Sequence, residues 1–499
     1  MVGGDARHSV ARRSGARPGR RLRWAGSALV VLVLVLAVAA WSFDLGPRVL
    51  GWGDPSPVSE PADVAPPPGL DLPGAVAAAQ VAVGASGSAD TSGSAGAAGS
   101  VNPQAVRRAV TRLMRDDDLG PRVAVSVSRP GGEDPVFEAG PTTVTPASTM
   151  KLLTTTAALA ALGPDHTFST RAVSGASPRD VVLVGGGDPL LARRPDPAEY
   201  PARADVTTLA TATARSLEES GTQRVRVRYD ATLFSGPSVN PSWPASYLPD
   251  DVVSPISSLW VDQGRERTDD FPRVDDPPLA AAQAFSRALE RSGIKVQGAP
   301  RPATAPEGAT ELASVESAPL ARLAGWVLEV SDNESAEVLL RHVGLAEGRA
   351  GSFAGGTAAV RDVLTELGVD LGGARILDGS GLSRRNRLSP DTLLSVLDAA
   401  SSDDHPELRG VVTGLPVAGF TGSLALRFDS GPAAGLGTVR AKTGTLTGVH
   451  GLAGLVTDRD GTVLSFAAVA DRVALEDTLD ARAQLDRIAA ALAACRCTS

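Results

Sequence analysis

From residue 101 onward the apolar positions switch between two periods. Val101–Asp116 repeats at helical spacing, and Arg122–Ser128 puts Val123, Val125 and Val127 on one face of a strand. Gly131-Gly132 turns that strand into a second short one, Pro135–Glu138. Near the other end Thr438–Thr443, Gly451–Thr457 and Thr462–Ala470 read as strands, the last two joined at Arg459-Asp460-Gly461. An amphipathic helix, Leu475–Ala494, follows. Strands at both ends around mainly helical middle sections predict an α+β domain with one sheet assembled from both termini. Residues 167–276 have a different texture. Val181–Val184, the turn Gly185-Gly186-Gly187-Asp188-Pro189, and Arg224–Tyr229 with Val225, Val227 and Tyr229 alternating with arginine predict a small strand-rich unit. It would be inserted into a discontinuous domain made of 101–166 and 277–495.

Before residue 101 the pattern is not globular. Trp24–Phe43 is a run of twenty residues without a charge, with Trp24 and Trp41 at its ends. At 1.5 Å per residue it spans roughly 30 Å, the hydrocarbon thickness of a bilayer. Residues 1–23 carry seven arginines against Asp5, a net +6, which places that tail in the cytoplasm and exports the rest of the chain. The expectation is a single-pass signal anchor at 24–43 in the cytoplasmic membrane, with the body outside the cytoplasm. The alternative is a signal peptide cleaved at the small residues Ala37-Val38-Ala39, giving a secreted protein. Residues 44–100, rich in Pro, Ala, Gly and Ser, read as a disordered linker.

Composition narrows the function. Hydrophobic residues make up 43% and charged residues 21%, so a wholly disordered chain is excluded. The net charge of −8, with +6 confined to the basic tail, leaves an acidic body that repels phosphate backbones and argues against a nucleic-acid partner. The only cysteines are Cys495 and Cys497. With one residue between them a mutual disulfide would be strained and close no long loop, so a disulfide scaffold is excluded. The five histidines show no metal-ligand spacing.

The informative residues are the lysines. Among 48 basic residues only Lys151, Lys295 and Lys442 are lysine. Lysine, unlike arginine, can lose its proton when buried and act as a base. Lys151 closes Ser148-Thr149-Met150-Lys151, an S-x-x-K behind Thr145-Pro146, which reads as a helix N-cap with proline at the first helical position. Ser148 and Lys151 then lie one turn apart on one face, so a neutral amine can take the serine proton. Ser331-Asp332-Asn333 is an S-x-N between two helices, a pattern that also serves as an ordinary N-cap. Lys442-Thr443-Gly444-Thr445 ends a predicted strand, where a lysine and a hydroxyl can bind a carboxylate and glycine admits a close backbone. All three patterns arise together by chance under about 1% of the time. His450 invites a Ser–His reading, but no G-x-S-x-G nucleophile elbow occurs.

In that order the three motifs resemble the signature of penicillin-binding proteins. With 183 positions from Ser148 to Ser331, the spacing is similar to the D-alanyl-D-alanine carboxypeptidase/endopeptidase family (low-molecular-mass class C), which carries a domain inserted between the first two motifs. Gly185–Pro189, Pro255–Asp262, Asp378–Pro390 and Leu415–Phe428 carry the same resemblance. It implies a penicillin-binding-protein/β-lactamase-like transpeptidase fold and a serine DD-carboxypeptidase that removes the terminal D-alanine of peptidoglycan stem peptides through an acyl-enzyme. Endopeptidase action on cross-links belongs to the same expectation, and β-lactam antibiotics would be covalent inhibitors. By motif, Ser148 would be the nucleophile, Lys151 its base and Ser331 the proton relay. Asn333, Lys442, Thr443, Gly444 and Thr445 would bind substrate, with no metal or organic cofactor. The competing reading is a degenerate wall-binding scaffold of the same fold.

Overall fold

The two ends of the body meet in one sheet. The computed structural model describes residues 100–132, 134–266 and 272–498. The expected basic tail at 1–23, anchor at 24–43 and linker at 44–100 lie outside these residues, save residue 100. Strands β1 (Val123–Ser128) and β2 (Phe137–Ala139) come from the N-terminal side. Strands β9 (Val439–Leu446), β10 (Val449–Thr457) and β11 (Val463–Ala470) come from the C-terminal side. The order is β2-β1-β11-β10-β9, antiparallel throughout, which leaves β9 as an edge. Every residue of β1 is buried, because both faces of the sheet are covered. Helices α1 (Pro103–Val110) and α10 (Thr478–Ala494) cover one face around Val106, Phe466 and Ile488. The other face turns small residues, Ala453 and Ala467, into the core of a helical lobe.

That lobe is built on α2 (Met150–Leu162), whose residues from Met150 to Leu159 are all buried. Its sequence MKLLTTTAALAAL has no polar face, which suits a helix surrounded by others. Each fully buried leucine there contributes about 1.5–3 kcal/mol. Around it pack α5 (Leu320–Glu329), α6 (Asn333–Ala346), α7 (Phe353–Glu366), α8 (Pro390–Ser401) and the short α9 (Arg409–Thr413). Among the described residues no helix is long and apolar enough to cross a membrane.

The inserted unit corrects the expected boundary at 276. Its sheet runs β6-β5-β4-β3-β8, from β3 (Ser169–Ser174), β4 (Asp180–Val184) and β5 (Arg224–Asp230) to β6 (Lys295–Val296) and β8 (Glu311–Glu316), with β7 (Arg301–Pro302) also on β5. The helices α3 (Val206–Glu219) and α4 (Pro277–Arg291) bury Leu209, Phe285 and Leu289 against it. The unit therefore extends to Glu316, because the strands that complete its sheet follow α4. Nor is it separate from the rest. Trp243, Val253, Ile256 and Trp260 leave the inserted sheet and enter the helical-lobe core.

Two smaller expectations also change. The first helix is shorter than Val101–Asp116, capped by Asn102 and loosening into a 3-10 turn at Leu113–Arg115. Cys495 and Cys497 are joined to each other, a bond that the spacing disfavoured. It spans two positions, so it is no scaffold. Asn102 N–H donates to the Cys497 carbonyl at 2.6 Å, which ties the end of the chain to the start of α1.

Candidate active site

Ser148 sits in a tight 3-10 turn, Ala147–Thr149, that leads into α2. The expected N-cap at Thr145 is absent. Its N–H donates to Asp471 at 2.9 Å and its hydroxyl accepts from Arg387 at 3.1 Å. The helix is entered instead through Ala147, whose φ of 47° lies in the left-handed region, a strain found where a site needs an exact side-chain direction. Two glycines hold this turn. A Cβ on Gly381 would lie 1.8 Å from the Ala147 carbonyl oxygen, and one on Gly444 would lie 2.8 Å from that of Pro146. The S-x-x-K turn is thus wedged between the 378–383 loop and the edge strand β9.

Lys151 points from the first turn of α2 into the lobe and is fully buried. Its Nζ lies 3.0 Å from Ser148 Oγ and donates to Asn333 Oδ1 and to the Ser380 carbonyl, each at 2.8 Å. A neutral amine has two N–H groups and one lone pair. The two acceptors match the N–H groups, and the lone pair is left for the serine hydroxyl. Burial lowers the lysine pKa to about 8, even though Glu337, Asp332 and Asp378 pull it upward.

Asn333 begins α6, and Asp332 caps that helix by accepting from Ser335 N–H at 2.9 Å. Ser331, half-buried, precedes the cap with φ of 64°, a second left-handed non-glycine residue. On β9, Lys442 is fully buried and donates to the carbonyl of Thr443 at 3.0 Å. Burial, with the like charges of Lys151 and Arg427, holds its pKa well below the ordinary lysine value. A carboxylate placed beside it would reverse that shift. The Thr443 hydroxyl donates to Ser423 Oγ at 2.8 Å, and Thr445 is exposed just beyond the close approach at Gly444.

The structure thus brings Ser148, Lys151 and Asn333 into one hydrogen-bonded group and sets Gly444 against the same turn. Ser331 lies in the adjoining loop, and Thr443 and Thr445 continue the strand. His450 is buried beside Arg427 and Arg482, and burial lowers its pKa to about 4. Its ring nitrogens bond to none of these residues. His342 stacks on Phe168 and bonds the Gly187 carbonyl, a structural placement.

Sequence reasoning missed the support of the lysine. Glu337, fully buried on α6, accepts from Gly379 N–H at 3.1 Å and from Ser380 N–H at 2.8 Å. Burial and the neighbouring Asp378 raise its pKa to about 8. Asp378 accepts from Trp243 Nε1, Gly381 N–H, Ser383 N–H and Asn386 Nδ2 at 2.6–3.1 Å. These two acids fix the loop whose Ser380 carbonyl orients Lys151. One signal was available: Glu337 stands four positions after Asn333, on the same helix face.

The sequence profile of the D-Ala-D-Ala carboxypeptidase 3 (S13) family matches residues 106–272 and 265–492. The chain belongs to this family. It is 34% identical over 493 residues to a carboxypeptidase DacB of Mycolicibacterium smegmatis, covering 96% of this chain and 99% of that protein. A carboxypeptidase of Mycobacterium tuberculosis is 36% identical over 405 residues, covering 79% and 85% of the two chains. The crystal structure of penicillin binding protein 4 from Haemophilus influenzae superposes with a TM-score of 0.63 at 22% identity, covering 78% of this chain and 98% of that one. The fold is therefore that of the penicillin-binding proteins, as the motifs implied. With family membership, the expectation of a serine-type D-Ala-D-Ala carboxypeptidase stands.

Proposed function

We propose that this S13-family protein removes the terminal D-alanine of stem peptides through an acyl-enzyme on Ser148. The observation that carries this reading is the Lys151 amine, buried and 3.0 Å from the serine oxygen, with its N–H groups occupied by Asn333 and Ser380. Lys151 takes the Ser148 proton as Oγ attacks the penultimate carbonyl carbon. The oxyanion is held by the backbone N–H groups of Ser148 and Thr445. Ser331 passes a proton to the departing D-alanine amine as the C–N bond breaks. Water then adds to the ester, and Ser148 leaves with its proton restored. Asn333 holds the peptide side of the substrate, and Lys442 and Thr443 hold the terminal carboxylate.

A β-lactam acylates the same serine, and the sequence has no E-x-x-L-N carboxylate to activate a deacylating water, so its adduct persists. A cross-linked peptide with the same D-Ala carbonyl would release its amine by the same steps, which is the endopeptidase arm. The uncharged run at 24–43 supports attachment to the cytoplasmic membrane with this site outside. The test is release of D-alanine from a peptide ending in D-Ala-D-Ala, by the wild type and by Ser148→Ala. The wild type releases it and the variant does not. A folded wild type that binds wall fragments without release would favour the scaffold.

A further inference from the structure

The inserted unit touches Asp332 of the S-x-N motif through Gln263. The segment that leaves the inserted sheet and crosses the helical lobe ends in two consecutive left-handed non-glycine residues, Asp262 (φ 51°) and Gln263 (φ 54°). Such a backbone is strained and persists only where its surroundings hold it. Here both are held. Asp262 accepts from the N–H and Nε of Arg193 at 3.0 and 3.1 Å, and the Gln263 carbonyl accepts from Ser254 Oγ at 2.6 Å. The strain turns the Gln263 side chain, which is 4% exposed, onto the loop that carries Ser331 and Asn333. Its Nε2 donates to Asp332 Oδ2 at 2.5 Å and to Ser335 Oγ at 3.0 Å, and its Oε1 accepts from Arg265 Nη1 at 2.5 Å.

Asp332 is the middle residue of the motif. One of its oxygens caps α6, and the other takes Gln263 and the Trp326 indole N–H at 3.2 Å. Turning Asp332 would therefore turn Ser331, already at φ 64°, and Asn333, which binds Lys151. Nearby, Arg273 pairs with Glu334 at 2.8 Å, so the insert grips this loop at two places.

We propose that Gln263 is a positioning residue for the reaction, and that the inserted unit sets the Ser331–Asn333 loop through the Gln263–Asp332 hydrogen bond. This rests on the roles given above to Ser331 and Asn333. Gln263 touches no reacting atom. Its effect falls mainly on the acylation step, because initial ligand binding keeps the Lys442–Thr443 carboxylate site, which lies on another element, and loses only part of the Asn333 contact.

The hydrogen bond has a direction, and that makes it testable. Gln263→Glu places a carboxylate against Asp332. Asp332→Asn places an Nδ2 donor against the Gln263 donor. Together the two changes restore one donor and one acceptor between these positions, with the introduced amide oxygen still capping α6 and the introduced carboxylate still accepting from Arg265, and only the longer Trp326 hydrogen bond is lost. The measurement is the acylation rate constant and initial affinity of the full chain for a fluorescent penicillin, with melting temperature in parallel. Each single variant should acylate about tenfold more slowly or worse, with initial affinity within about twofold, and the pair should recover to within about threefold of wild type. Should Gln263→Glu fail to fold, Gln263→Met, which removes the bond without adding charge, should show the same selective loss. Wild-type acylation by any folded single variant, or a pair no faster than the singles, overturns the proposal. A wild type that forms no Ser148 adduct would instead overturn the reading of the site.

Discussion

Replacing Gly444 by alanine is the most selective perturbation of the site that the structure offers. The added Cβ would lie 2.8 Å from the Pro146 carbonyl oxygen, 3.3 Å from Thr149 Cγ2 and 3.4 Å from Ala147 Cβ. Two neighbours on the turn that presents Ser148 are thus too close at once, with Ala147 Cβ at the limit of ordinary contact, and β9 must retreat by about 0.5 Å. That opens the space between Ser148 and Thr445, where the oxyanion would sit. A misplacement of about 1 Å costs about a hundredfold in rate, so half of it costs about tenfold, or about 1.4 kcal/mol of transition-state stabilisation. The fold should lose only the about 1–3 kcal/mol typical of overpacking. A matched control lies across the strand pair. Gly451 is the register partner of Gly444, and its Cβ would meet Thr149 Cγ2 and Val469 Cγ2 at 3.5 Å, ordinary contact. Stopped-flow acylation by a fluorescent penicillin, with thermal melts, should show a large loss for Gly444→Ala and a small one for Gly451→Ala. Equal rates in the two variants would refute the reasoning.

Other perturbations probe separate parts of the site. Because the Lys151 pKa is lowered to about 8 and the base is the neutral amine, acylation should rise about tenfold from pH 7 to pH 9 and level off above. A rate that is flat or falls over that range would contradict lysine as the base. Asp378→Ala leaves four donors from Trp243, Gly381, Ser383 and Asn386 without their acceptor, and denaturant unfolding should show a loss of about 3–5 kcal/mol. A loss under about 1 kcal/mol would show that the loop satisfies itself. Lys442→Ala should impair a peptide ending in a free carboxylate far more than its amidated counterpart in D-alanine-release or acylation assays. Equal impairment would remove Lys442 from carboxylate binding.

The frame of the fold was legible because alternation is a local signal. Val123, Val125 and Val127 and the three C-terminal strands declare themselves within a few residues, and only the shared sheet needed inference. The insert boundary was not legible, since β6 and β7 are two residues each, too short to show a period, and β8, ELASVE, has no strict alternation and no buried position. Apolar residues such as Trp243 and Trp260 announce burial without saying in which core, so their place in the helical lobe was hidden. In the site, the rarity of lysine pointed to Lys151 and Lys442. Their surroundings depend on loops far apart in sequence. Ser380, 229 positions from Lys151, orients it with a backbone carbonyl, which carries no side-chain signature. The left-handed residues Ala147, Ser331, Asp262 and Gln263 were equally hidden, because none is the glycine that usually marks that conformation.

The claim on which the rest depends is that Ser148 is a nucleophile activated by Lys151. Intact mass of the protein after incubation with penicillin, followed by peptide mapping, tests it most directly. One penicilloyl group should appear on the peptide containing Ser148 in the wild type and be absent from a folded Ser148→Ala variant. A folded wild type that gains no mass, or an adduct that persists in the variant, would contradict it.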